Sequence, residues 1–214
     1  MSTTRSQRSR GAAGLTSSAV AHHVELFCED SAHESCARAV ISRIARELQI
    51  DVSVHIGSAR FGLPRLKREL RDFQSLLRQG SGTPDLLVVV ADGNDAGPNE
   101  RQREVAEVID PAVFPRYIVG APDPYVERWL LADPVSFAQC FGRQPVLGTP
   151  QGRDGWRQRL VESLEAAGEI VTQGGAEFAE EIIDVMDFYR AGKTVPTIQT
   201  FADDVRAALK QLAA

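Results

Sequence analysis

Two sets of oxygen-bearing side chains, far apart in the chain, stand where divalent-metal chemistry would need them. Glu29 follows the apolar run VELFC, and Asp92, Asn94 and Asp95 follow the apolar run at residues 86–91. Hard cations such as Mg²⁺ or Mn²⁺ select oxygen ligands, and Mg²⁺ keeps several waters, so two or three carboxylates plus a substrate phosphate complete a site. Paired ions stabilise the attacking and leaving oxygens of phosphoryl transfer, which asks the protein chiefly for geometry. Glu29 and Asp92 are therefore the candidate catalytic pair, with Asn94 and Asp95 as further metal ligands. Asp30, His33, Glu34 and Glu127 are auxiliary candidates. Each has a plainer reading: His33 and Glu34 as polar residues of a helix start, Asp30 as a loop carboxylate, Glu127 as a partner for a helix dipole. Asp/Asn/Gly loops are turns more often than metal sites, so spacing alone does not decide.

The elements that must position these groups follow from periodicity. Residues 24–28 form a short apolar strand, and residues 34–48 place Ala37, Val40, Ile41, Ile44 and Leu48 at helical spacing. Ser31 with Glu34 is a capping-box pattern at that helix start. Alternation over 51–56 predicts a strand, and Leu66, Leu70, Phe73 and Leu77 predict a helix over 64–77. The run ending at Ala91 is apolar on both faces, as a central parallel strand is. A charged helix over 99–109 and a strand over 117–121 follow. PDPYVERWLLAD then predicts a helix with Val126, Trp129 and Leu130 in the core. Beyond Gly142 a Pro/Gly-rich link leads to helices near 156–167, 176–190 and 198–213, the last with Thr200 as its N-cap. The expected architecture is α/β: an open, mostly parallel sheet with helices on both faces over 21–142, preceded by a disordered tail at 1–20. A helical extension over 143–214 packs on it. Such a sheet gathers the carboxyl ends of its strands at one edge, where ligands bind.

Composition bounds the function. Of 214 residues, 43% are hydrophobic and 25% charged, enough for a packed core. No apolar stretch approaches the roughly 20 residues that span a bilayer. The Ser/Arg/Gly-rich start lacks the apolar segment of a secretory signal, and three cysteines form no CxxC pair, so a cytoplasmic protein with reduced thiols is expected. The net charge of −5 excludes a globally basic nucleic-acid binder. A basic run, Arg60, Arg65, Lys67, Arg68 and Arg71, reads as a solvated helix face by default and as a nucleic-acid contact in the alternative. Arg5, Arg8 and Arg10 in the tail read the same way. Cys28 reads as packing. Lys193 lacks the GxxxxGK[ST] context of a phosphate loop, and no Gly-rich loop follows the first strand, which argues against a flavodoxin-like domain.

A strand ending in Glu, a helix, and a later apolar strand ending near an Asp-x-Asp pattern resemble the Toprim fold of topoisomerases, primases and nucleases of the overcoming-lysogenization-defect type. The segments FCEDSAHE, VVVADGND and APDPYVERWLLAD resemble a bacterial family of Toprim-like proteins of unassigned function, often encoded beside an ATP-binding protein and associated with defence against phage. The likeness spans residues 24–140. It implies a Mg²⁺-dependent nuclease or phosphodiesterase acting on nucleic acid, with an ATP-binding partner protein or a homo-oligomer supplying substrate grip. Glu29 matches the Toprim glutamate, a general acid or base that also helps hold metal, and Asp92 matches the first aspartate of the pair. Asn94 stands where the second aspartate is expected, so it offers a carbonyl oxygen without charge. The rival expectation is a catalytically silent regulatory subunit of the ATP-binding partner, with Asn94 as the trace of lost metal chemistry.

Overall fold

A computed structural model describes residues 21–57, 62–80, 82–146 and 148–214. The expected tail, with Arg5, Arg8 and Arg10, and Arg60 lie outside the described residues. Four strands, β1 (His22–Cys28), β2 (Val52–Ile56), β3 (Leu86–Val90) and β4 (Tyr117–Gly120), form one sheet in the order β2-β1-β3-β4, every neighbouring pair parallel. All five residues of β3 are fully buried, which explains its unbroken apolarity: it carries helices on both sides and strands at both edges.

The crossovers are helical. α1 (Ser31–Leu48) joins β1 to β2, α2 (Leu63–Leu77) joins β2 to β3, and α3 (Pro98–Ala106) precedes β4. Leu66 and Leu70 of α2 and Val105 of α3 pack with Phe27, Leu87, Val89 and Phe114 on one face. The other face, with Leu26, Val88 and Val90, receives Val40, Ile41 and Ile44 of α1. It also receives a succession of later helices: α4 (Val126–Leu130), α5 (Pro134–Phe141), α6 (Gly152–Ala166), α7 (Ala179–Val185), α8 (Phe188–Gly192) and α9 (Pro196–Leu212). Leu160, Ile183, Ile198 and Phe201 thus share one core with the strands, and Trp129 stacks on Phe201 with ring centroids 5.2 Å apart. Among the described residues no helix is long and apolar enough to cross a membrane.

Several local expectations are corrected. Asp30, not Ser31, caps α1: its extended backbone lets Oδ1 accept from the amides of Ala32 and His33 at 2.9 and 3.1 Å, and a carboxylate there also faces the positive helix end. The segment 176–190 is not one helix. A 3₁₀ turn (Ala176–Phe178) leads into α7, extended Met186 ends it, and Asp187 caps α8 by accepting from the Arg190 amide at 3.0 Å. Thr200 does not cap α9, which starts at Pro196; its hydroxyl donates back to the Pro196 carbonyl at 3.2 Å inside the helix. Asp133 begins α5 as a separate helix by accepting from the Ser136 amide.

Candidate metal centre

From β1 the chain turns to one side of the sheet to form β2, and then crosses back to place β3 on the other side of β1. The carboxyl ends of β1 and β3 therefore flank a topological switch point, where two connections diverge and leave a crevice. Glu29 and Asp92 emerge there. The Glu29 amide donates to the Val90 carbonyl at 3.1 Å, extending the ladder one residue beyond β1, and the Asp92 amide donates to Glu29 Oε2 at 3.1 Å.

His33, one turn into α1, completes the group. Its Nε2 lies 2.8 Å from Asp92 Oδ1 and its Nδ1 2.7 Å from Asp30 Oδ1. A carboxylate at each nitrogen favours the doubly protonated ring, in which both nitrogens donate. Burial opposes that charge, but the charge of Asp92 and its hydrogen bond outweigh it, and the His33 pKa is held above its ordinary value. Asp92 Oδ1 also accepts from the Val126 amide at 3.0 Å, at the start of α4. Glu29, His33 and Asp92 each offer a ligand atom within 4.8 Å of the others, a group that could hold a metal ion. Asp92 and His33 are 0% exposed, Glu127 3% and Glu29 8%.

The donor set fits a hard cation. Asp92 Oδ2 and Glu127 Oε2 are buried carboxylate oxygens without a hydrogen-bond partner, an arrangement that costs free energy unless a positive group comes near. Burial first, and then the charge of Asp92, push the Glu127 carboxyl above its ordinary pKa. Since both nitrogens of His33 are engaged by carboxylates, Glu29 and Asp92 are the members of this group that would hold an ion, and His33 would position Asp92.

Other side chains shape this centre that the sequence did not single out. Buried Arg101 donates from Nε to the Asp92 carbonyl at 2.7 Å and from Nη1 to Glu104 at 2.7 Å, clamping the loop after β3. A Cβ on Gly93 would stand 2.8 Å from the Pro122 carbonyl oxygen, so the two loops can meet there only without a side chain. From α6, Arg153 pairs with Asp30 and lies 3.9 Å from Asp92 Oδ2. Arg157, one turn on, bears electrostatically on Glu127. The only sequence signal for this pair is two arginines at i, i+4, indistinguishable from a solvated helix face.

The remaining candidates are placed as follows. Asn94 and Asp95 open a 3₁₀ turn (Asn94–Ala96); Asn94 adopts a left-handed φ of 46°, which asparagine tolerates better than most residues, and Asp95 is exposed, outside the Glu29–His33–Asp92 group. Glu34 is buried in the first turn of α1, near enough to Cys28 to help raise its thiol pKa, itself driven up first by burial. Arg65 pairs with Glu69 at 2.6 Å and Lys67 with Glu104 at 3.5 Å, while Arg68 and Arg71 are exposed on α2, a helix of the face opposite α6. Comparison of the chain with protein-family models, with curated proteins and with solved structures finds no match, so its function must be argued from this centre.

Proposed function

We propose that the protein is a divalent-metal-dependent phosphodiesterase, a nuclease of Toprim type. The observation that carries this reading is the buried group at the sheet's switch point, where Glu29, His33 and Asp92 each offer a ligand atom within 4.8 Å of the others and Asp92 Oδ2 has no hydrogen bond. A Mg²⁺ or Mn²⁺ ion held there would offset charge on a phosphodiester and draw a nucleophile into line. The chain's own part is orientation. Asp30 and His33 fix Asp92 in one rotamer, the amide of Asp92 fixes Glu29, and Arg153 and Arg157 supply guanidinium donors suited to phosphate oxygens. Because the whole chain is acidic, grip on nucleic acid comes from these local arginines, a second copy or an ATP-binding partner.

The test is cleavage of plasmid DNA, single-stranded DNA and RNA in Mg²⁺ or Mn²⁺ by the wild type, Glu29→Ala and Asp92→Ala. Metal-dependent cleavage abolished in both variants supports the reading. Cleavage unchanged in both, or none by the wild type on any substrate, overturns it. One observation favours a second reading, a catalytically silent regulatory subunit of the ATP-binding partner: Asp95, which would compensate for Asn94, faces solvent.

A further inference from the structure

The centre is closed on the side of the C-terminal helices by α6. A cleft of about 330 Å³ lies between α6 and the start of α1, lined in part by Asp30, Glu127, Arg153, Asp154, Arg157 and Gly174. Arg153 and Arg157 stand at i, i+4 and so project from one face of α6. Arg153 pairs with Asp30 and lies 3.9 Å from Asp92 Oδ2, which has no hydrogen bond. Arg157 has room because residue 174 is glycine: a Cβ there would overlap the guanidinium.

These arginines neutralise carboxylates that a divalent ion would also claim. Charge decides what else can enter. The cleft carries three carboxylates, Asp30, Glu127 and Asp154, against two guanidiniums, a balance that repels anions. A divalent cation on the neighbouring Asp92 offsets that excess negative charge and competes with Arg153 for Asp92. A guanidinium released from that pairing presents a planar fork of N–H donors that matches two phosphate oxygens. The cleft volume suits one nucleotide-sized group, not a duplex laid across it.

We propose that Arg153 and Arg157 form a phosphoryl-binding subsite whose Arg153 pairs with Asp30 and is freed when a cation takes Asp92, so that a terminal phosphate binds after the metal. The proposal rests on the metal-centre reading and narrows the group bound to a phosphate monoester, carried by a strand end as substrate or by a free nucleotide as a ligand that is not cleaved.

Calorimetry on the full chain tests it without an activity assay. Three titrations suffice: MnCl₂ alone, inorganic phosphate with and without Mn²⁺, and 5′-phosphorylated against 5′-hydroxyl single-stranded oligonucleotide. Removing a half-exposed competing charge should tighten Mn²⁺ binding about tenfold in Arg153→Ala, whereas Arg153→Lys, which keeps the charge, stays near wild type. Phosphate should bind the wild type only with Mn²⁺ present, and about tenfold more weakly in Arg153→Ala and Arg157→Ala. A 5′-phosphate preference on the oligonucleotide assigns the strand end; phosphate binding without that preference assigns the free nucleotide. Weaker Mn²⁺ binding in Arg153→Ala, metal-independent phosphate binding, or undiminished phosphate affinity in both alanine variants overturns the subsite. If Mn²⁺ does not bind the wild type, the metal centre falls with it. If every binding arm holds but no nucleic acid is cleaved, the subsite stands and the nuclease reading alone is lost.

Discussion

Glu29 and Asp92, 63 positions apart, are tied by a 3.1 Å hydrogen bond from the Asp92 amide to Glu29 Oε2. The bond is possible because β1 and β3 are parallel neighbours in register, Cys28 opposite Val90, so Glu29, one residue past β1, meets Asp92, two residues past β3. His33 then takes Asp92 Oδ1, which leaves Oδ2 without a hydrogen bond and 3.9 Å from Arg153.

Asp92 therefore serves structure and site together, and two substitutions separate the roles. Asp92→Ala leaves the His33 charge and the Val126 amide without their acceptor, and should destabilise by about 3 kcal/mol. Asp92→Asn keeps an acceptor for both and should cost about 1 kcal/mol, yet weaken Mn²⁺ binding at least as much as Asp92→Ala does. Urea denaturation and metal calorimetry on the two variants check this; equal stability losses would show that His33 does not depend on Asp92.

Gly93 is required for space and not for backbone freedom, since its φ of −64° is open to any residue. A Cβ would press on the Pro122 carbonyl oxygen from 2.8 Å, and backbone cannot yield as a flexible side chain can. Gly93→Ala should cost about 2 kcal/mol and displace the neighbouring Asp92, lowering Mn²⁺ affinity. Thermal unfolding with metal titration would reveal it, and an unperturbed variant would refute the close approach.

Asp133 predicts the acid limb of stability. Burial would raise its pKa, but Arg190 at 2.7 and 2.8 Å, with the amides of Ser136 and Asp187, holds the carboxyl far below the ordinary carboxylate range. A depressed folded-state pKa contributes stability that is full above the unfolded value near 3.8 and is lost as pH falls toward the folded value. Asp133→Asn should thus be less stable than wild type by about 2 kcal/mol at pH 7, the gap shrinking below about pH 4. Denaturation curves from pH 7 to pH 3 measure that gap; one that widens on acidification contradicts the assignment.

The thiols should divide by burial. Cys28 and Cys36 are fully buried, and desolvation raises both pKa values, so neither reaches the thiolate form at neutral pH. Cys140 is partly exposed. A thiol-specific chromogenic reagent should label one cysteine of the native protein, Cys140, and all three in urea. Rapid native labelling of Cys28 would reopen a nucleophilic role for it.

The strands, the inward helix faces and the positions of Glu29 and Asp92 at strand ends were legible in the sequence, because apolar periodicity is imposed locally by the face each element must bury. LLVVV suited a strand covered on both sides, and α1 announced its buried stripe through Val40, Ile41 and Ile44. Chain order could not decide which strands lie side by side. Hydrogen bonding of β3 beside β1, together with the packing of α6 over that edge, brought His33, Glu127, Arg153 and Arg157 to the same carboxylates. Asp95, though only three residues past Asp92, is exposed, on the turn where Asn94 takes a left-handed step. Side-chain identity set what chemistry was available; long-range pairing, whose energy depends on surfaces contributed by distant segments, chose which groups share one charge balance.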